Sequence, residues 1–389
     1  MDERNNPYSP GAGLRPTALV GRDGELQDWQ VALERVESAR PARSVVLHGL
    51  RGVGKTVLLR EFHRMAEDRK WVVVFIEANT GSPLRDTLAR SLYPVVRELA
   101  RPKAGDKLRK ALATFKSFSV KVDSTGMWSF GLDVANAQGR GDSGELETDL
   151  AELMKDLAEA AQEQGRGLAI LIDEAQDLTR DELTALCAIC HQGGQRSWAF
   201  LVAIAGLPNL PRVLSEAKSY AERLFTYWEV TALLDDAARQ ALTRPAAAEG
   251  VSWDDRAVSY VVTATRGYPY FLQEYGQATW NAATSTSMTY DDARVGAASG
   301  QAHLDAGFYR ARWERATPGQ REYLQAMAQD GDGPSMSSDV AARLNKTPTG
   351  VGPFRDSLIK KGLIYAPEHG QVAYTVPGMA DFIARQSRP

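Results

Sequence analysis

Gly49-Leu50-Arg51-Gly52-Val53-Gly54-Lys55-Thr56 fits the pattern G-x-x-x-x-G-K-[ST], and the residues around it supply the context that pattern needs. An apolar run, Ser44-Val45-Val46-Leu47-His48, comes before it, and an amphipathic stretch, Val57-Leu58-Leu59-Arg60-Glu61-Phe62, follows. That order reads as strand, glycine loop, helix. The glycines let backbone N–H groups turn inward around a phosphate, and a helix N-terminus adds its partial positive charge. Lys55 is placed to reach β- and γ-phosphates, and the Thr56 hydroxyl to meet a Mg2+ ion. The expectation is a chain that binds a nucleoside triphosphate in an α/β fold.

Other apolar runs complete a parallel sheet. Trp71-Val72-Val73-Val74-Phe75-Ile76 is apolar throughout, which suits a strand covered on both faces. Leu168-Ala169-Ile170-Leu171-Ile172-Asp173 is a second such run and ends in acid, Trp198 to Ala205 is a third, and Phe225 to Thr231 alternates. Helical periodicity marks Leu26, Trp29, Leu33 and Val36, then residues 83–99 and 145–164. Phe118, Val120 and Val122, a turn at Asp123-Ser124-Thr125-Gly126, then Trp128, Phe130, Leu132 and Val134 predict a β-hairpin over residues 118–134, with no function assigned to it. From Leu233 to about Ala298 the pattern is helical with no further strand. Strands alternating with helices, then helices alone, argue for an α/β core with a helical lid.

Composition narrows the field. The 389 residues suffice for two or three domains, and a net charge of −3 gives no global basic field for nucleic acid. Cys187 and Cys190 are the two cysteines, spaced C-x-x-C inside a helical stretch, and read chiefly as small helix residues, with redox or metal chemistry as the alternative. Free thiols and no secretory leader predict a reducing cytoplasm, and no apolar run is long enough to span a bilayer. Residues 1–16 are polar and rich in Asn, Pro and Gly, and are expected to be disordered.

The C-terminal stretch has another texture. A helix over 318–329, a loop, a short helix near 338–344, a turn at 347–350, a helix through 354–361 closed by Gly362, and two short strands around 363–365 and 372–376 describe a winged helix-turn-helix. Arg355, Lys360 and Lys361 are where a recognition helix would meet a major groove. Eleven basic against eight acidic residues from Tyr309 onward predict only modest, salt-sensitive DNA affinity. Protein docking is the alternative, and Lys360-Lys361-Gly362 also fits an ordinary helix end with a basic last turn.

Asp173 and Glu174 close the acidic strand. A strand-end Asp holds Mg2+ in P-loop ATPases, and the next carboxylate is placed to orient or deprotonate water. Helix capping is the plainer role for Asp173. With both motifs placed, the chain resembles the ASCE division of P-loop ATPases, above all the origin-recognition-type AAA ATPases and the signal-transduction ATPases with numerous domains (STAND). The likeness runs from about Thr17 to the C-terminus.

It implies that Val20, Gly21 and Arg22 lie beside the adenine, unless they form a plain surface loop. Arg266-Gly267-Tyr268-Pro269-Tyr270 matches the Gly-x-Pro turn of STAND lids, which implies phosphate proximity for Gly267 and Pro269; an ordinary helix start is the alternative. Arg266 matches a lid sensor arginine only loosely. Arg223 stands where relatives place an arginine reaching a neighbour's γ-phosphate, or it is a solvated surface residue. Asn209 is the amide nearest the expected sensor position.

The resemblance and the motifs together divide the chain into a tail over 1–16, a P-loop core over 17–231, a lid over 232–305 and a winged helix over 306–389. They imply ATP with Mg2+, a slow ATPase that works as a switch, double-stranded DNA or a protein as partner, a nucleotide-dependent homo-oligomer and no membrane.

Overall fold

The structure, a computed structural model, describes residues 1–99, 105–119 and 140–386. Contacts divide the chain into two units, one of Asp23–His48 with Lys55–Glu229, the other of Met1–Arg22, Gly49–Gly54 and Val230–Pro389.

The first unit is a parallel sheet with helices. In chain order it holds α1 (Asp23–Glu37), β1 (Ser44–His48), α2 (Lys55–Asp68), β2 (Val72–Glu77), α3 (Leu84–Leu99), α4 (Asp106–Ser119), α5 (Leu146–Glu163), β3 (Leu168–Asp173), α6 (Arg180–Gln195), β4 (Phe200–Gly206), α7 (Leu210–Ala217), α8 (Ala221–Leu224) and β5 (Phe225–Glu229). The sheet order is β2-β3-β4-β1-β5 and every pair is parallel. β3 and β4 are buried at every position, as unbroken apolar runs require. The carboxyl ends of the strands therefore share one edge: His48 pairs with Gly206 and with Glu229, and Glu77 with Asp173. In open α/β sheets that edge is where ligands bind.

Two expectations change here. β2 is an outer strand whose burial alternates, with Val73 and Phe75 half-buried. Polar side chains of α2 cover that face, the Arg60 guanidinium 4.7 Å and the His63 ring 6.3 Å from the Phe75 ring centre. Phe118 does not open a hairpin. It sits in the last turn of α4, fully buried, with the Arg85 guanidinium 4.5 Å above its ring. The rest of the expected hairpin lies outside the described residues.

The second unit holds α9 (Asp235–Ala248), β6 (Ser252–Trp253), α10 (Asp255–Thr265), α11 (Pro269–Ala282), β7 (Ser287–Met288), α12 (Tyr290–His303), a π-helical segment Leu304–Tyr309, and α13 (Arg310–Glu314). It continues with α14 (Pro318–Ala328), β8 (Ser335–Met336), α15 (Ser337–Arg343), α16 (Pro348–Lys360), β9 (Ile364–Tyr365), β10 (Gln371–Tyr374) and α17 (Met379–Gln386). β6 and β7 form a two-residue parallel pair, so the lid region is not purely helical. Two-residue strands leave no periodic signature. β8, β10 and β9 form an antiparallel sheet. The turn expected at 347–350 is the first turn of α16, capped by the Thr347 hydroxyl, which accepts from the Gly350 N–H at 3.2 Å, with Pro348 as first helical residue.

Residues 1–16, expected to be disordered, are packed within this unit. Tyr8 is 1% exposed; its hydroxyl donates to the Leu242 carbonyl and accepts from the Trp253 indole N–H at 2.8 Å. Asn6 adds a bond of 3.1 Å to the Gln277 carbonyl. One aromatic in a polar tail is invisible to composition, yet it suffices to hold the segment down.

Candidate functional site

In the sheet unit the glycine loop hands over to α2 at Lys55, which is buried at 9% exposure. The next residue, Thr56, donates its hydroxyl to Asp173 Oδ2 at 2.6 Å. The strand-end acid and the loop threonine, 117 residues apart in sequence, thus meet as expected. Asp173 Oδ1 accepts from the Glu174 N–H at 2.9 Å. Burial pushes the Asp173 carboxyl above its ordinary range, opposed by the Thr56 and Glu174 N–H bonds.

Glu174 has φ of +52°, the left-handed region where a side chain is strained. Its carboxylate accepts from Gln176 Nε2 at 2.5 Å, and Gln176 Oε1 accepts from the Leu207 N–H at 3.1 Å. Gln176 therefore ties the acidic end of β3 to the end of β4. Sequence reasoning quoted this glutamine beside the acids without giving it a role; its position two residues after Glu174 was the available signal. Asn209 caps α7 without a side-chain bond, and its buried Oδ1 has no hydrogen-bond partner among the described residues.

Arg223 is not brought to this place. It is exposed in α8, just before Phe225, which pairs with Ser44 at the amino end of β1, whereas Lys55 follows the carboxyl end. The two residues stand at opposite edges of the sheet.

The second unit contains the loop from Gly49 to Gly54. A Cβ at Gly49 would overlap the Val230 carbonyl, so only glycine lets the chain leave β1 there. Leu50 and Arg51 are half-buried, and Val53 is buried. Gly52 and Gly54 adopt φ of +88° and +99°. Tyr268 closes on the loop: a Cβ at Gly52 would lie 3.1 Å from its ring, and its hydroxyl donates to the Arg51 carbonyl. The Arg51 N–H donates to the Thr375 carbonyl at 2.9 Å.

Val20, Gly21 and Arg22 stay inside the same unit. Val20 is buried, and a Cβ at Gly21 would come within 2.6 Å of Ala237 in α9. Arg22, 8% exposed, donates from Nη2 to the Val53 carbonyl at 3.1 Å and the Thr231 carbonyl at 2.6 Å. Its guanidinium pins the loop's main chain. Gly267 accepts from the Leu233 N–H at 2.9 Å, and Pro269 is the first residue of α11. The Gly-Tyr-Pro turn and the glycine loop thus meet through Tyr268, which sequence reasoning did not single out. Arg266 is largely exposed and 4.0 Å from Asp332.

Of the three basic residues expected at DNA, Lys360 is exposed and Arg355 lies 3.3 Å from Asp356. Lys361 turns inward, donating to the Arg315 carbonyl at 2.8 Å and to Gln320 Oε1 at 2.7 Å. It closes the end of α16. Among the described residues no helix is long and apolar enough to cross a membrane.

Comparison with known proteins follows the same outline. Residues 18–202 match the AAA ATPase domain, and residues 306–383 match a domain of unknown function. A 75-residue stretch is 37% identical to the ORC1-type DNA replication protein 1 of Haloarcula marismortui, and that match spans 18% of each chain. Among solved structures, the Walker-type ATPase of Pyrococcus abyssi superposes with a TM-score of 0.57 at 18% identity, covering 95% of this chain and 97% of the other. Cdc6p of Pyrobaculum aerophilum gives 0.48 at 15% identity, covering 100% and 99%. The chain has the parallel-sheet α/β fold of P-loop ATPases, and its residues 18–202 carry the match to the nucleotide-binding AAA ATPase domain.

Proposed function

We propose that this chain is an origin-recognition-like ATP switch: it binds Mg-ATP, hydrolyses it slowly, and uses the nucleotide state to set a C-terminal winged helix for double-stranded DNA. The 2.6 Å bond between Thr56 and Asp173 carries the reading, because it joins the two halves of the motif in one place. A hydroxyl and a carboxylate are hard oxygen donors of the kind Mg2+ takes. Thr56 and Asp173 would hold the ion, which when bound neutralises phosphate charge. Lys55 and the N–H groups of residues 49–56 would bind the phosphates.

Glu174 would orient or deprotonate the attacking water, with Gln176 fixing its carboxylate. Asn209, with an unpaired buried oxygen, would supply a polar contact near the γ-phosphate. Val20, Gly21 and Arg22 would flank the base, and Gly267 and Pro269 would shape the lid's approach. Arg223, at the far edge of the sheet, fits a role only toward a neighbouring copy in a homo-oligomer.

DNA as partner draws on the ORC1-type relative and on the order helix, strand, helix, helix, strand, strand from α14 to β10. The exposed Lys360 is its strongest single contact, with Arg355 beside it.

One experiment addresses both levels. Wild-type protein, Lys55→Ala and Glu174→Gln are titrated with Mg-ATP and Mg-ADP by calorimetry, then with duplex DNA at several salt concentrations. Wild type should bind nucleotide, Lys55→Ala should lose the triphosphate, and Glu174→Gln should bind ATP without turnover. DNA affinity should depend on nucleotide and fall linearly in log–log with salt. No heat with either nucleotide defeats the ATP reading. Nucleotide binding without a DNA shift at low salt defeats the DNA reading and leaves a STAND-type, protein-recruiting switch.

A further inference from the structure

Arg312, in α13, is half-buried with its guanidinium 4.0 Å from the centre of the Phe308 ring, and its Nη1 donates to the Phe308 carbonyl at 2.5 Å. Arg315, one turn on, donates from Nη2 to the Lys361 carbonyl at 2.8 Å. The Arg51 guanidinium comes from the glycine loop to the same spot. A Cβ at Gly362 would lie 3.0 Å from its Nη2, so glycine after Lys361 leaves the seat in which it rests. Arg51 and Arg315 are the charges that act on Arg312, together with the phenols Tyr268 and Tyr270.

Like charges gathered in a partly desolvated place need compensation. Among the described residues the hydrogen bonds of Arg312, Arg315 and Lys361 run to neutral carbonyl oxygens. Burial first, and the Arg51 charge second, pull the Arg312 guanidinium down to about 10, so it is still cationic at neutral pH. Burial raises Tyr268 and Tyr270, and neither phenol becomes a counter-anion there. The fold holds positive charge beside the loop and gives it carbonyls alone.

We propose that Arg312, with Arg51 and Arg315, forms an anion site for the terminal phosphate of a bound nucleoside triphosphate. The inference rests on the nucleotide reading above and adds what the 306–383 segment contributes: two of the three arginines, and with them a means of telling ATP from ADP. Guanidinium groups match phosphate oxygens in pairs of bonds, which lysine does not reproduce. The Arg51 N–H to Thr375 bond and the Tyr268 hydroxyl on the Arg51 carbonyl hold this C-terminal segment and the loop in register. Binding of the third phosphate and docking of the segment on the loop are then mutually strengthening.

The test measures Mg-ATP and Mg-ADP affinity for the full chain and for Arg312→Gln, Arg312→Lys and Arg315→Gln. Arg315 is exposed, so its variant tests the site even if Arg312→Gln does not fold. Arg312→Gln and Arg315→Gln should weaken ATP by about ten-fold or more and leave ADP within about two-fold, as expected for a charge-assisted bond to one phosphate. Arg312→Lys should recover part of the loss. If ATP and ADP weaken together, or neither changes while the wild type binds both, the anion site is wrong and the nucleotide reading stands. If the wild type binds neither, both fall.

Discussion

Asp173 shows at the scale of one residue how a ligand site costs stability. Burial lifts its carboxyl above the ordinary aspartate range, and the Thr56 and Glu174 N–H bonds only partly offset that. Between the unfolded value, about 4, and the raised folded value, the native state holds more protons than the unfolded one. Stability therefore falls as pH rises through that window and stays lower above it. Asp173→Asn without nucleotide should melt above the wild type at neutral pH, and the gap should close below pH about 4. Thermal unfolding across pH checks it; a lower melting temperature for the variant at neutral pH would mean that the charge stabilises the empty fold. The pairing of Asp173 with the loop was legible in sequence, because both motifs are short and ordered. Gln176 was not, since its role depends on β4 lying next to β3.

Single elements show where periodicity works and where it stops. α6 was readable, and its two cysteines are buried as small apolar residues. Burial pushes the Cys187 thiol up to about 12 and raises Cys190 as well. Neither supplies thiolate at neutral pH. A thiol reagent at pH 8 should label neither cysteine in the native protein and both after denaturation; rapid native labelling would revive the redox reading. α4 escaped notice because its apolar face ends at Phe118, whose spacing to Val120 and Val122 mimics a strand. Polar ties also fix that helix: the Thr114 hydroxyl donates to Asp156 of α5 at 2.8 Å. Such cross-helix bonds have no local signature.

At the scale of the whole molecule, two units behave as separate bodies of core. The N-terminal segment belongs to the second, through Tyr8. Tyr8→Ala removes a fully buried ring and two hydrogen bonds, and should destabilise that unit by about 3 kcal/mol, the range for large-to-small changes at aromatic core positions. Urea unfolding followed by hydrogen exchange should place the loss in α9 to α12 and leave β1 to β5 unchanged. Equal stability of the variant and wild type would show the segment to be unanchored in solution. Deleting residues 2–16 should do at least as much harm.

By itself the sequence settled the order of strand, glycine loop and helix, the acidic strand end and the sheet-then-helices layout. Each of those is written in residues within a few positions of one another. Tertiary structure decided the rest. Strand order β2-β3-β4-β1-β5 put Arg223 at the far edge, and packing turned Arg22 and Lys361 into main-chain clamps. Folding also brought Tyr268 and Arg312 of distant helices to Arg51. Contacts between residues hundreds of positions apart arise from the shared burial of surfaces, and no local pattern records which surfaces will meet.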